Sequence, residues 1–190
     1  SYAKVDYSHF MNITAKVALR MIPDSLATQP IFLCVDDTMV AKAGTRFENV
    51  SKLFDHAAHN GSNYLNGHCF VSIMLCIPVW KNDRVSYLSL PLGYRMWQKK
   101  ESKLELAASM IRQVMPEFQE KKQVIILCDS WYTKRNLVSI VDEYLNLDLI
   151  GNARIDSVMY APAHTGRRGR PAKHGKRLSV ETDFAFSNEK

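Results

Sequence analysis

The chain has 190 residues, of which 46% are apolar and 23% charged, a composition that builds a globular core and excludes a disordered polymer. No run approaches the roughly 18 consecutive apolar residues of a membrane span. Cys34, Cys69, Cys76 and Cys128 all lie inside apolar runs and form no Cys-x-x-Cys pair, which argues against a zinc site or disulfide scaffold and for buried thiols in a reducing compartment. The formal charge is +6, and its position matters more than its size. Between Ser157 and Val180 stand Arg167, Arg168, Arg170, Lys173, Lys176 and Arg177 with no acid among them. The other 19 basic residues balance the 19 acidic ones, so the excess is a single segment suited to a polyanion.

In chain order, Ser8 to Met21 carries Phe10, Ile13, Val17 and Met21 at helical spacing, with Pro23 ending the helix. Ile31 to Val35 is a short, wholly apolar run that predicts a buried strand leading into Asp36 and Asp37. Thr38 to Asn66 has no clear period and reads mainly as a long excursion, of a length that suggests function or partial helix. His68–Trp80 and Val85–Leu92 are apolar stretches joined by the polar Lys81-Asn82-Asp83-Arg84, which predicts an antiparallel hairpin, with Pro78 and Pro91 marking ragged or edge positions. Lys99 to Met115 is predicted helical, with Leu104, Ala107, Ala108, Ile111, Val114 and Met115 on one face and Pro116 closing it. Val124 to Cys128 is a second short apolar strand ending at Asp129. A helix follows with Leu137, Ile140, Val141, Tyr144 and Leu145 inward, and then a last strand over Leu147 to Ala153.

A hairpin followed by β-α-β-α-β predicts an α/β fold with a mixed sheet flanked by helices on both faces. Ligands of open α/β sheets bind outside the carboxyl ends of the strands, where Asp36 and Asp129 would both sit. If their strands are parallel neighbours, the two carboxylates meet. Converging carboxylates repel unless a cation neutralises them, and hard oxygen donors completed by water and phosphate suit magnesium or manganese. Two such ions clamp an in-line phosphoryl displacement without a dedicated histidine. Each aspartate alone also reads as a helix cap or turn residue.

Val35-Asp36-Asp37-Thr38, followed by Lys42 and Gly44, resembles the first-aspartate motif of DDE transposases from bacterial insertion sequences. Ile125-Ile126-Leu127-Cys128-Asp129-Ser130-Trp131-Tyr132 is similar to their second-aspartate strand, and Gly67-His68 and Leu90-Pro91-Leu92-Gly93-Tyr94 share the family's look. The resemblance covers about residues 30 to 180 and implies a ribonuclease H-like core that binds Mg2+ or Mn2+, in a two-metal site when complete. It implies cleavage of DNA at transposon ends, strand transfer, double-stranded DNA of both transposon ends and target as partners, and self-association on that DNA. It also implies a cytoplasmic, nucleoid-associated bacterial protein with no membrane partner. Carried over, Asp36 and Asp129 are the first two metal ligands and catalytic residues. Asp37 is the rival of Asp36, because adjacent strand residues face opposite ways, and Asp36 is preferred because it puts Thr38 in the Asp-x-Thr position. The family's third acid belongs to a Tyr-Arg-Glu-Lys pattern that this sequence lacks, and Glu181 and Glu189 do not have its context.

The segment Gly166-Arg167-Arg168-Gly169-Arg170-Pro171 contains an Arg-Gly-Arg-Pro core similar to an AT-hook, a minor-groove arm; the plainer reading is a basic loop touching phosphate. His56 and His59 lack partners in a metal pattern. Trp131 and Tyr132 read as packing at the start of a helix, or as a platform for a displaced base. The expected organisation is a helical lead-in over 1–24, the catalytic core over 25–156, the DNA-contacting segment over 157–180 and the start of a truncated part over 181–190. The absence of an initial methionine and the stop just after Asp183–Phe186 read as a fragment of a longer protein. The rival to a catalytic core is a non-catalytic or domesticated DNA-binding module acting through residues 166–177.

Overall fold

The computed structural model describes residues 7–44, 46–54, 63–118, 122–153, 157–163, 172–179 and 182–183. Residues 1–152 and 153–190 form two units.

In the first unit, helix α1 spans Tyr7–Arg20. The predicted helix is present but its inward face is a different one. Phe10, Ile13, Val17 and Met21 are exposed, and Met11, Ala15 and Ala18 are buried. Close approach explains the choice, since a Cβ at Gly93 would press on Met11 and the two alanines let the helix lie near the sheet.

Strand β1 runs over Ile31–Ala41, well past the apolar run, so both Asp36 and Asp37 are strand residues. Part of the expected excursion is therefore strand, and it also contains β2, Ser51–Phe54. Strands β3, Tyr64–Lys81, and β4, Arg84–Met96, form the predicted hairpin. Its two central residues, Asn82 and Asp83, have φ of 50° and 57°, the left-handed pair that a right-twisted two-residue turn requires. Pro78 lies beyond the last β1–β3 pair, Phe32 with Cys76, so its missing N–H costs no ladder bond to β1. Leu92 is an extra residue between the pairs Met74–Pro91 and Ile73–Gly93, which makes a β-bulge.

Helix α2 spans Lys103–Val114, four residues shorter at its start than expected, because Ser102 caps it. The Ser102 hydroxyl accepts from the Glu105 amide at 3.1 Å, and the Glu105 carboxylate accepts from the Ser102 amide at 3.0 Å. Pro116 sits in a 3-10 turn, Met115–Glu117, that ends the segment. Strand β5, Val124–Cys128, has the predicted bounds. The next helix is only one turn, α3, Arg135–Val138, continued as a 3-10 helix over Ser139–Glu143. Leu137 and Ile140 are buried as expected, whereas Leu145 is fully exposed. Strand β6 is Leu147–Gly151.

The sheet order is β2-β3-β1-β5-β6, with β4 also paired to β3. Strand β3 is antiparallel to both β4 and β1, and β1, β5 and β6 are parallel. A three-stranded antiparallel meander continued by two parallel crossover strands is the ribonuclease H-like arrangement, in a mixed α/β fold. Ile31, Leu33, Val35, Ile73, Leu75, Val124 and Ile126 form one core with α1, α2 and α3 on the same side of the sheet. The opposite side carries half-buried Phe32, Cys34, Met74, Ile125 and Leu127, and no described helix covers it. Helix α1, expected as a lead-in, contributes to this core. In the second unit, β7, Met159–Tyr160, pairs antiparallel with β8, Arg177–Leu178.

Candidate active site

Alternation along β1 decides which aspartate turns inward. Ile31, Leu33 and Val35 are buried on the helix side, and Asp37 follows them in phase. Asp36 is exposed on the other side, where one carboxylate oxygen accepts from the Asp37 amide at 2.8 Å. The parallel register pairs Val35 with Cys128, so a longer β5 would align Asp36 with Asp129. Strand β5 stops at Cys128, however, and Asp129 opens a turn. Its Oδ1 accepts from the Trp131 and Tyr132 amides at 3.0 and 3.2 Å, an Asx-type cap that re-aims the carboxylate. Of the two plainer readings of Asp129 the turn holds and the helix cap does not, since α3 begins at Arg135 behind Lys134; the turn leaves Oδ2 without a hydrogen bond among the described residues.

Asp37 and Asp129, 92 positions apart, line one cavity of about 400 Å³ with Met39, Lys52, Leu53, Phe54, Trp97, Lys103 and Trp131. Asp36, the preferred candidate from sequence, is not in its lining. Asp-x-Thr spacing sets a separation along the strand and not a face. A second hollow, of about 300 Å³ between Leu19, Ile22, Asp24, Ala27, Glu117 and Lys122, holds neither aspartate of the pair.

Tyr132 links the two carboxylates. Its hydroxyl donates to Asp37 Oδ1 at 3.2 Å while its amide donates to Asp129, and its side chain is fully buried. Burial, then the charge and hydrogen bond of Asp37, push its phenol far above the ordinary range, so it stays a donor. Asp37 Oδ2 accepts from the Lys103 ammonium at 2.6 Å and from the Cys69 thiol at 3.3 Å. Burial drives the Cys69 thiol up to about 11, opposed by the positive charge of Lys103. For Lys103, burial acts to lower the pKa, but the bond to Asp37 and its charge more than reverse this, and the ammonium is held above its usual range. The Trp131 ring stands 5.0 Å from Tyr132 and has Lys134 over it at 4.3 Å, while Lys52 lies 4.5 Å over Tyr64.

Lys103, Cys69, Trp97 and Lys52 carry no mark of this site in the sequence, and Tyr132 reads there only as packing or a base platform, not as a link between the acids. Trp131-Tyr132 directly after Asp129 was the available signal. Nothing local announces Lys103, whose partner lies 66 positions away. Of the basic segment, Arg167, Arg168 and Arg170 lie outside the described residues, as do His56 and His59. Lys176 pairs with Asp183 at 3.1 Å, Arg177 belongs to β8, and Lys173 is exposed. His68 Nε2 lies 2.8 Å from the Glu48 carbonyl, and His174 stacks on Tyr160. The four cysteines are free thiols; Cys69 and Cys76 are buried as expected, whereas Cys34 and Cys128 are only half-buried.

No group of three or more His, Cys, Asp or Glu is placed to hold a metal ion among the described residues. The donor set is nonetheless the right kind for one: two carboxylates on one wall, with Asp129 Oδ2 unengaged and open space beside it, match a hard cation completed by water and phosphate.

The sheet order defines the class, a ribonuclease H-like fold, with Asp37 and Asp129 lining one cavity. The family model described as "DDE superfamily endonuclease" matches residues 3–185, and the chain belongs to that family. No curated protein matches the chain. Among solved structures it is similar to the Mos1 strand transfer complex, with 14% identity and a TM-score of 0.32 over 81% of this chain and 44% of that one. It is also similar to the Mos1 transposase paired-end complex with left transposon end, with 12% identity and a TM-score of 0.34 over 80% and 45%. The chain thus spans less than half the length of either. No described helix is long and apolar enough to cross a membrane.

Proposed function

We propose that the chain supplies the catalytic sheet of a DNA transposase, with Asp37 and Asp129 as two ligands of Mg2+ or Mn2+, and that the whole protein cuts phosphodiester bonds at transposon ends and transfers the freed strand. One observation carries the reading: a carboxylate from β1 and another from the turn directly after its parallel neighbour β5 open into one cavity. When bound, a divalent ion supplies charge neutralisation for an in-line phosphoryl displacement. The protein's own part is orientation. Tyr132 fixes one oxygen of each carboxylate, and the Trp97 and Trp131 rings wall the cavity and limit water. Among the described residues no third acid joins the pair.

Double-stranded DNA is the proposed partner, held in part by the segment from Arg167 to Arg177. If its six bases each neutralise a phosphate, log K falls against log salt with a slope of about −5. The deciding experiment is Mn2+-dependent nicking of transposon-end DNA by the full-length protein. Asp37→Asn and Asp129→Asn are expected to reduce it to background and Asp36→Asn to leave it substantially intact. Full activity in the first two variants removes the reading, and loss in Asp36→Asn alone returns the first-ligand role to Asp36.

A further inference from the structure

The Lys103 ammonium sits 2.6 Å from Asp37 Oδ2, and the two side chains are only 18% and 16% exposed. It also lies 5.7 Å from the Trp97 ring centre and 5.1 Å from that of Trp131. A carboxylate oxygen and two aromatic faces surround it, which is a complete environment for a small cation. All of these groups line the cavity that holds Asp129. Lys103 is placed there firmly, as the first residue of α2, directly behind the Ser102–Glu105 capping box.

We infer that Lys103 is a positioning residue that acts as a resident cation, holding Asp37 in the cavity and competing with a divalent ion for its carboxylate. The inference rests on the reading of Asp37 and Asp129 as the ligand pair. Asp37 has no idle oxygen, because Oδ1 accepts from Tyr132 and Oδ2 from Lys103 and Cys69. A dication on Oδ2 would stand against an ammonium of like sign beside two largely buried side chains, so the lysine must withdraw before both carboxylates can be used together. Withdrawal is available to it: its four-carbon stem is flexible, and the open cavity gives the ammonium room to move toward a phosphate that enters with DNA. The site is thereby kept closed to free metal and opened by polyanion.

The test is Mn2+ binding to the DNA-free chain, read by the loss of the free-ion electron paramagnetic resonance signal. Lys103→Met keeps length and aromatic contact but removes charge, and is expected to bind Mn2+ at least about tenfold more tightly than wild type, while Lys103→Arg, which keeps the charge, stays near wild type. Adding Asp37→Asn to Lys103→Met should abolish the gain. Equal or weaker binding by Lys103→Met, including no binding by either protein, overturns the inference. Failure of the ligand-pair reading is distinguishable: Asp37→Asn and Asp129→Asn would then retain nicking, whatever Lys103→Met does.

Discussion

Replacing Tyr132 with Phe removes one oxygen atom from a fully buried ring and nothing else. The lost bond is that from the hydroxyl to Asp37 Oδ1 at 3.2 Å. A hydrogen bond to a charged acceptor is worth about 1.5–3 kcal/mol, and Asp37 keeps its bonds from Lys103 and Cys69 beside a cavity that admits water, so the net loss should fall at about 1–2 kcal/mol. In urea, with a slope of roughly 1–3 kcal/mol per molar, the unfolding midpoint should drop by about 0.5–1 M at unchanged slope. Tyr132→Leu also removes ring contact and should cost about 3–5 kcal/mol, a clearly larger drop. A double-mutant cycle with Asp37→Ala should give a coupling of at least about 1 kcal/mol. A Phe variant within about 0.3 kcal/mol of wild type, or a coupling near zero, would show that the hydroxyl does not hold the carboxylate and would refute the account of Tyr132 as the link between the two acids.

Other expectations concern the frame around the site. Ser102→Ala removes the hydroxyl half of the capping box, leaving the backbone bond to Glu105, and should lower stability by about 1 kcal/mol, measured by chemical denaturation. Gly67→Ala should cost more than about 3 kcal/mol or prevent folding, since a Cβ there collides with the Val40 carbonyl oxygen where β1, β2 and β3 meet; a soluble variant with a wild-type melting temperature would contradict this. The Cys69 thiol is raised from 9.0 to about 11 in the folded chain, so its contribution is fully present below pH 9 and is lost as pH rises toward 11. Wild type should therefore lose stability more steeply than Cys69→Ser across pH 9 to 11, by an amount on the order of 2–3 kcal/mol, and parallel curves would argue against it.

What the sequence disclosed was period and punctuation. The apolar runs at Ile31–Val35 and Val124–Cys128, the Asn82-Asp83 turn and the proline stops located the strands and their order because each depends on neighbouring residues alone. What it hid was phase and distance. Helix α1 has apolar residues on two faces, and only the close approach of β4 selects Met11, Ala15 and Ala18 over Phe10, Ile13 and Val17. The choice between Asp36 and Asp37 is likewise a question of which side faces α2, and Asp-x-Thr spacing carries no information about it. Lys103 carries no local mark of its role, which exists only once α2 packs on the sheet.

The extra residue at Leu92 has a reach beyond its own position. Before it, Leu88 and Leu90 point at the helices, in step with Ile77 and Leu75; after it, the inward places pass to Gly93 and Arg95, in step with Ile73 and Val71. That half-step is why an arginine, and not Tyr94, meets α2, where its guanidinium donates to Ser109 and Gln113. A strand that kept Leu92 in the ladder instead of bulging it would set Leu92 opposite Ile73 and Tyr94 opposite Val71, and send Arg95 out to water. One inserted residue thus divides a single strand into a greasy half that grips helices by shape and a polar half that latches them by charge.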